Sequence, residues 1–282
     1  MNPEITELDR AATRHETPCG DGHVVWRSWG AGTPLVLLHG GSGSWMHWLR
    51  NIRALSAQYR VLAADIPGLG ESAMPPNPDH PRACAAPLQQ GLVKILGPER
   101  RYHLTGFSFG ANVSGQLAAL DGAHVLSLTL VGAASLGLPR PPLDLLKVRD
   151  KQGTARREAN RENLKRLMFR DEALIDDTAL DIQEWNTRHA RFRSRGFASG
   201  TSLKDAIHEA VAPLNGIWGE YDAVAWPEVE SRLAVIREGD ASMRQAVIPG
   251  AGHWVAYEAA EPFNAALLEI LGRREGRTAP QG

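Results

Sequence analysis

Ser108 stands between Gly106 and Gly110 in HLTGFSFGAN, residues 103 to 112. A serine hydroxyl at its ordinary pKa is a poor nucleophile. It does covalent chemistry only beside a base that takes its proton and a group that orients that base. G-x-S-x-G alone is a common turn composition, so the partners must decide whether Ser108 attacks or merely turns the chain. Downstream, IWGEYDAV offers Asp222, with Glu220 as the alternative one register away, and IPGAGHWVAYE offers His253. No other histidine follows Asp222, which leaves His253 without a rival as base. In that order His253 Nε2 would take the Ser108 proton while Asp222 holds Nδ1–H and fixes the tautomer. A fourth part is a pair of amides for the oxyanion. HGGSGSW (39–45) is glycine-rich where a backbone N–H must face a substrate oxygen, which points to Gly41, with Ser42 a close alternative. Phe109, the residue after the nucleophile, supplies the second amide.

These residues need a scaffold that brings distant loops together. Six short apolar runs end in glycine, proline or a polar residue: PLVLLH (34–39), RVLAADIP (60–67), YHLTGFS (102–108), VLSLTLVGA (125–133), APLNGIWGE (212–220) and RQAVIPG (244–250). Their near-continuous hydrophobicity fits strands covered on both faces, and helical patterns separate them. The expectation is an α/β fold with a mostly parallel central sheet and flanking helices. GFSFG follows one such strand and precedes a helical pattern with Val113, Leu117, Ala118 and Leu120 apolar, the strand-turn-helix context a presented nucleophile requires. Residues 136–208 break the rhythm. After LGLPRPP the segment is charge-rich and helically periodic, with Ile175, Ala179 and Ile182 on one face, Asp176 as N-cap, and Ile175 and Leu180 as a hydrophobic staple. It reads as a helical cap inserted between core segments 1–135 and 209–282. The first dozen residues and the tail EGRTAPQG read as loosely ordered.

The 282 residues can bury a large core, and 43% hydrophobic content, 22% charged content and a net charge of -1 describe an ordinary globular protein. Nothing in that balance asks for nucleic acid or a membrane, and no apolar run approaches a membrane span. With no secretory h-region at the N-terminus, the expected location is the cytoplasm. Cys19 and Cys84 fit no metal or redox spacing and read as structural, and no cofactor or metal is expected.

HGGSGSW, DIPGLGES (65–72), GFSFG, WGEYD (218–222) and GHWVAYEAAEPFN (252–264), in that order, resemble the α/β-hydrolase fold family over about residues 22–273. Within it the chain is similar to the C–C bond hydrolases of meta-cleavage pathways. The likeness rests on His253 followed by Trp254, on the Phe263–Asn264 pair, on the glycine-rich loop at 39–42, and on a cap pattern like ENLKRLMFRDEALIDDTALDIQEW (162–185). Two departures bear on substrate. Those enzymes carry an asparagine before the nucleophile where this chain has Phe107. They also carry a carboxylate-binding cap arginine where it has Gln183, with Arg188 or Arg191 a turn or two further on as substitutes. Serine at the elbow implies acyl chemistry rather than the alkyl-ester chemistry of the aspartate-nucleophile dehalogenases and epoxide hydrolases of this fold.

The resulting expectation is a serine hydrolase of a small carboxylic ester. The alternatives are C–C cleavage of a vinylogous diketone, or a ligand receptor with the same fold that turns over slowly. Trp45, Trp48, Phe107, Phe109 and Trp254 are candidate pocket aromatics, and Arg188, Arg191, Arg193 and Arg195 are candidate cap contacts to a small-molecule substrate. A homodimer, common among the similar hydrolases, stays open.

Overall fold

The computed structural model describes residues 2–276. Residues before the first expected strand already fold: Thr13–Cys19 (β1) and Gly22–Trp29 (β2) make an antiparallel hairpin. The six apolar runs become Pro34–Leu38 (β3), Arg60–Ala64 (β4), Tyr102–Phe107 (β5), Val125–Val131 (β6), Leu214–Gly219 (β7) and Arg244–Ile248 (β8). All eight strands join one sheet in the order β1-β2-β4-β3-β5-β6-β7-β8. Every pairing from β4 to β8 is parallel, and only the β1 and β2 pairings are antiparallel.

Alternation along β3 shows why its sequence is apolar throughout. Val36 and Leu38 join the core layer under helices Arg82–Leu96, Phe109–Asp121, Ser202–Glu209 and Val229–Gly239. Leu35 and Leu37 join the opposite layer with helices Leu49–Ser56 and Ala260–Arg274. Successive side chains point to opposite faces, so a strand sandwiched between two helix layers has no polar side.

The N-terminus corrects the sequence expectation. Pro3–Arg10 is a helix whose first amides are capped by Asn2, with Oδ1 accepting from the Glu4 amide at 2.9 Å. Pro3 suits the first helical position because its missing N–H would have had no partner there. Ile5 and Leu8 are buried in the lower core layer, and Trp29 Nε1 donates to the Leu8 carbonyl at 2.9 Å. Two apolar residues three apart suffice to dock a two-turn helix, a signal too short to stand out as periodicity. Of the tail, Glu275 and Gly276 form a turn, and 277–282 lie outside the described residues.

Between β6 and β7 the chain leaves the sheet. Residues 138–150 form an irregular strap, followed by helix Gly153–Asn163, a widened helical turn at Leu164–Met168, and helix Asp177–His189. Asp176 caps the last of these, its Oδ1 accepting from the Ala179 amide at 2.7 Å, and Ile175, Ala179, Leu180 and Ile182 are all buried. A short helical turn, Ser194–Phe197, leads back to the core. Helix Ser202–Glu209 lies against the helix that follows Ser108: a Cβ on Gly115 would stand 2.5 Å from Leu203 and 3.5 Å from Ala206. Among the described residues no helix is long and apolar enough to cross a membrane. Cys19 and Cys84 are both buried free thiols within one core layer.

Candidate active site

β5 ends at Phe107 and a helix begins at Phe109, so a single residue must turn the chain. That residue is Ser108, at φ 53° and ψ -114°, a left-handed conformation that side chains other than glycine adopt only under constraint. The constraint is visible on both sides. The Ser108 amide donates to the Val131 carbonyl at 2.8 Å, and a Cβ on Gly110 would lie 2.3 Å from the His39 carbonyl oxygen. A Cβ on Gly106 would lie 2.4 Å from the Gly110 carbonyl oxygen. Only glycines at both positions let helix and strand approach this closely. The Ser108 side chain makes no capping bond to its own helix.

Instead the hydroxyl meets a base. Ser108 Oγ is 3.0 Å from His253 Nε2, and His253 Nδ1 is 2.8 Å from Asp222 Oδ1. The ring sits in the loop between β8 and helix Val255–Glu258, the carboxylate in the loop after β7, and both are buried. Nδ1 facing a carboxylate carries the proton, leaving the Nε2 lone pair toward the serine. Glu220, the other carboxylate of WGEYD, turns away and accepts from the Gly250 amide at 2.9 Å on the surface.

Behind the glycine loop lie two buried histidines, His39 and His47. His39 Nδ1 donates to the Gly40 carbonyl at 2.8 Å and its Nε2 accepts from the Ile66 amide at 2.9 Å. Burial lowers its pKa to about 4. His47 Nδ1 accepts from the Gly40 amide at 3.2 Å, and burial, then the neighbouring His39 and His253, hold its pKa well below the usual histidine value. Two neutral rings thus grip both polar groups of Gly40 and fix the turn that carries Gly41 and Ser42. The amides of Gly41, Ser42 and Phe109 donate to no acceptor among the described residues.

A cavity of about 730 Å³ opens above Ser108, lined by Gly41, Ser42, Phe107, Phe109, Gln183 and His253 among others. Of the other candidates, Arg193 and Arg195 also line it, and the rest lie elsewhere. Trp45 is buried against Trp29, with the Arg27 guanidinium 5.0 Å from its ring centroid. Trp254 packs behind the histidines, stacked on Tyr257, and donates to the His47 carbonyl at 2.9 Å; Trp48 is likewise core. Arg188 is exposed beside Glu184, and Arg191 holds the carbonyls of Gly70 and Ser72. Alignment of the cap helix could not foresee this, because both arginines lie beyond the face that Gln183 shares with the cavity. What the sequence missed is the strap: Arg140, Leu143, Leu146 and Lys147 line the cavity from a segment with neither helical nor strand periodicity. Arg193, Arg195 and Ser194 complete that wall.

Fold and site together define a hydrolase-type α/β scaffold with a serine, histidine and aspartate in register. Residues 35–266 match the model of the alpha/beta hydrolase family, and the chain belongs to that family. It is 32% identical over 253 residues to the dihydrolipoyllysine-residue acetyltransferase component of the acetoin cleaving system of Pseudomonas putida. That match covers 85% of this chain but only 64% of the relative. It is 28% identical to a 2-hydroxy-6-oxononadienedioate/2-hydroxy-6-oxononatrienedioate hydrolase of Cupriavidus pinatubonensis, over 96% of this chain and 100% of that one. Among solved structures, naproxen esterase from Bacillus subtilis superposes with a TM-score of 0.76 over 95% of each chain at 21% identity, a likeness of fold alone.

Proposed function

We propose that this chain is a serine hydrolase acting on a small carboxylic ester. The observation that carries the reading is the continuous relay Ser108–His253–Asp222, with a strained serine and both hydrogen bonds at 3.0 Å or less. Ser108 Oγ attacks the ester carbonyl as His253 takes its proton, and the amides of Gly41 and Phe109 receive the oxyanion. His253 then protonates the departing alkoxide, and a water activated by the same ring releases the acyl group. Phe107 and the uncharged Gln183 at the cavity favour an uncharged acyl portion over a dienoate.

A second reading, C–C cleavage of a carboxylate-bearing vinylogous diketone, draws on the relative hydrolase named for a dioate and on the charge of the cavity wall. Arg140, Lys147, Arg149, Arg193 and Arg195 line the cavity together with Asp150, and none of the five cations has a carboxylate within 4.0 Å among the described residues. One paired assay separates the readings. A p-nitrophenyl short-chain ester should turn over steadily and lose turnover in Ser108→Ala, while a coloured dienol dienoate persists. Faster decay of the dienoate than of the ester would replace the first reading by the second. A single burst of p-nitrophenol without turnover would indicate a receptor.

A further inference from the structure

Ser194 belongs to the insertion yet touches the loop that would hold the oxyanion. A Cβ built on Gly41 would fall 2.5 Å from Ser194 Oγ, 3.3 Å from Ser194 Cβ and 3.6 Å from Phe109 Cβ. The hydroxyl therefore stands against Gly41, one of the two residues whose amides are proposed for the substrate oxygen, and Phe109, the other, packs beside the same glycine. Ser194 is 6% exposed and lines the same cavity as Ser108 and His253. Among the described residues its hydroxyl donates to no acceptor, which leaves it available to a molecule in the cavity that Ser194 lines.

The segment that carries it is fixed at both ends. The amides of Arg191 and Phe192 both donate to the Gly68 carbonyl at 2.9 Å, and the Phe192 ring lies 5.4 Å from that of Phe109. Past the serine, Ser135 Oγ donates to the Phe197 carbonyl at 2.6 Å and the Ser135 amide to the Ala198 carbonyl at 3.1 Å. A hydroxyl held this way needs little reorganisation when charge develops beside it, which is what makes a fixed donor effective in catalysis.

We infer that the Ser194 hydroxyl is a third donor to the substrate carbonyl oxygen as it becomes an oxyanion. The insertion then supplies a catalytic residue as well as a wall. A static hydroxyl beside a tetrahedral centre contributes more in the transition state than in the bound substrate, so its loss belongs in kcat.

The inference rests on the serine-hydrolase reading, and the test separates the two. Ser194→Ala is compared with wild type on a p-nitrophenyl ester, on phenylboronic acid as a tetrahedral Ser108 adduct, and on a non-cleavable ketone-free amide analogue of the substrate. The expected result is a kcat lowered about 10–100-fold with KM within about twofold. Boronate affinity should weaken by a similar factor, with amide binding and thermal midpoint unchanged. Unchanged kcat and boronate affinity would overturn the role of Ser194 alone, and so would a loss that appears equally in KM and amide binding. Wild-type protein that neither turns over the ester nor binds the boronate would overturn the hydrolase reading, and this inference with it.

Discussion

Asp222 Oδ1 receives two donors, His253 Nδ1–H and the Val224 amide, each at 2.8 Å. The second bond holds the carboxylate in place independently of the histidine, so the ring is oriented by a fixed acceptor. Asp222→Ala removes that acceptor, so nothing fixes the Nδ1–H tautomer or stabilises the imidazolium that forms when His253 takes the Ser108 proton. Ester kcat should fall by about 10⁴-fold with an unchanged far-ultraviolet circular dichroism spectrum. Glu220→Gln, at the rejected carboxylate, should leave kcat within about twofold. Comparable losses in both variants would overturn the assignment of the acid.

The elbow glycines set the second prediction. A methyl at Gly110 would collide with main-chain oxygens of both His39, at 2.3 Å, and Leu38, at 2.4 Å, and neither can rotate away. Gly110→Ala should therefore destabilise the fold by more than about 2 kcal/mol, read as a lower midpoint in urea. Gly97→Ala is a useful contrast: its Cβ meets nothing within 4 Å, but φ is 90°. There the loss should be smaller, about 1 kcal/mol, because only backbone strain opposes the side chain.

The site was legible in the sequence because its parts are tied to strand ends, and strand ends are marked by composition. PLVLLHGG, HLTGFSFG, IWGEYD and IPGAGH each run from an apolar stretch into a polar or glycine-rich turn; the first, second and fourth bring Gly41, Ser108 and His253 to the cavity, and the third places Asp222 buried behind His253. The pocket wall was not legible for the converse reason. The strap 138–150 has no period from which a buried face could be read, and Ser194 reaches Gly41 through bonds to Gly68 and Ser135, far away in sequence. The tryptophans misled because a large aromatic near a motif can equally be its support. Trp254 packs on the His47 ring and donates to the His47 carbonyl, and Trp45 packs on Trp29.

His39 and His47 give the third prediction through linkage. Both are held neutral, His39 with a folded pKa of about 4 and His47 well below the unfolded value near 6.5. The unfolded chain binds their protons first, so their contribution is fully present above pH 6.5 and is lost as pH falls through the folded values. Asp65, raised to about 6 by burial, acts in the opposite sense between pH 6 and 4 because the folded state then binds the extra proton. The diagnostic is thus a difference between proteins. From pH 7.5 to 5, wild type should lose about 1–2 kcal/mol more stability than His47→Gln, measured by urea unfolding. Parallel pH profiles would show that His47 is not held neutral.

Helix Pro3–Arg10 supplies the fourth. Besides burying Ile5 and Leu8, its cap residue Asn2 donates through Nδ2 to Thr178 Oγ1 at 2.7 Å, joining the N-terminus to the insertion. Deleting residues 1–11 should destabilise the protein by on the order of 3–5 kcal/mol, the burial of two aliphatic side chains. Asn2→Ala alone should lose about 1 kcal/mol. A truncated chain as stable as the full one would mean the helix only rests on the surface.

Five cations and Asp150 line the cavity wall, and whether they act on the acyl group is open to direct measurement. Burial, and after it repulsion from Arg140, lower the Arg195 pKa, so an anion arriving between the two guanidinium groups would offset part of that cost. Neutral and carboxylate-bearing p-nitrophenyl esters of equal length are the probes. Raising ionic strength from 0.05 to about 0.5 M should reduce kcat/KM for the anionic ester several-fold and leave the neutral one nearly unchanged, because only the charged encounter is screened. In Arg140→Gln/Arg195→Gln the salt dependence should disappear, while kcat for the neutral ester stays within about twofold. Equal salt sensitivity for both esters in wild type would instead mean that the wall cations act on stability, and that the cavity makes no choice by charge.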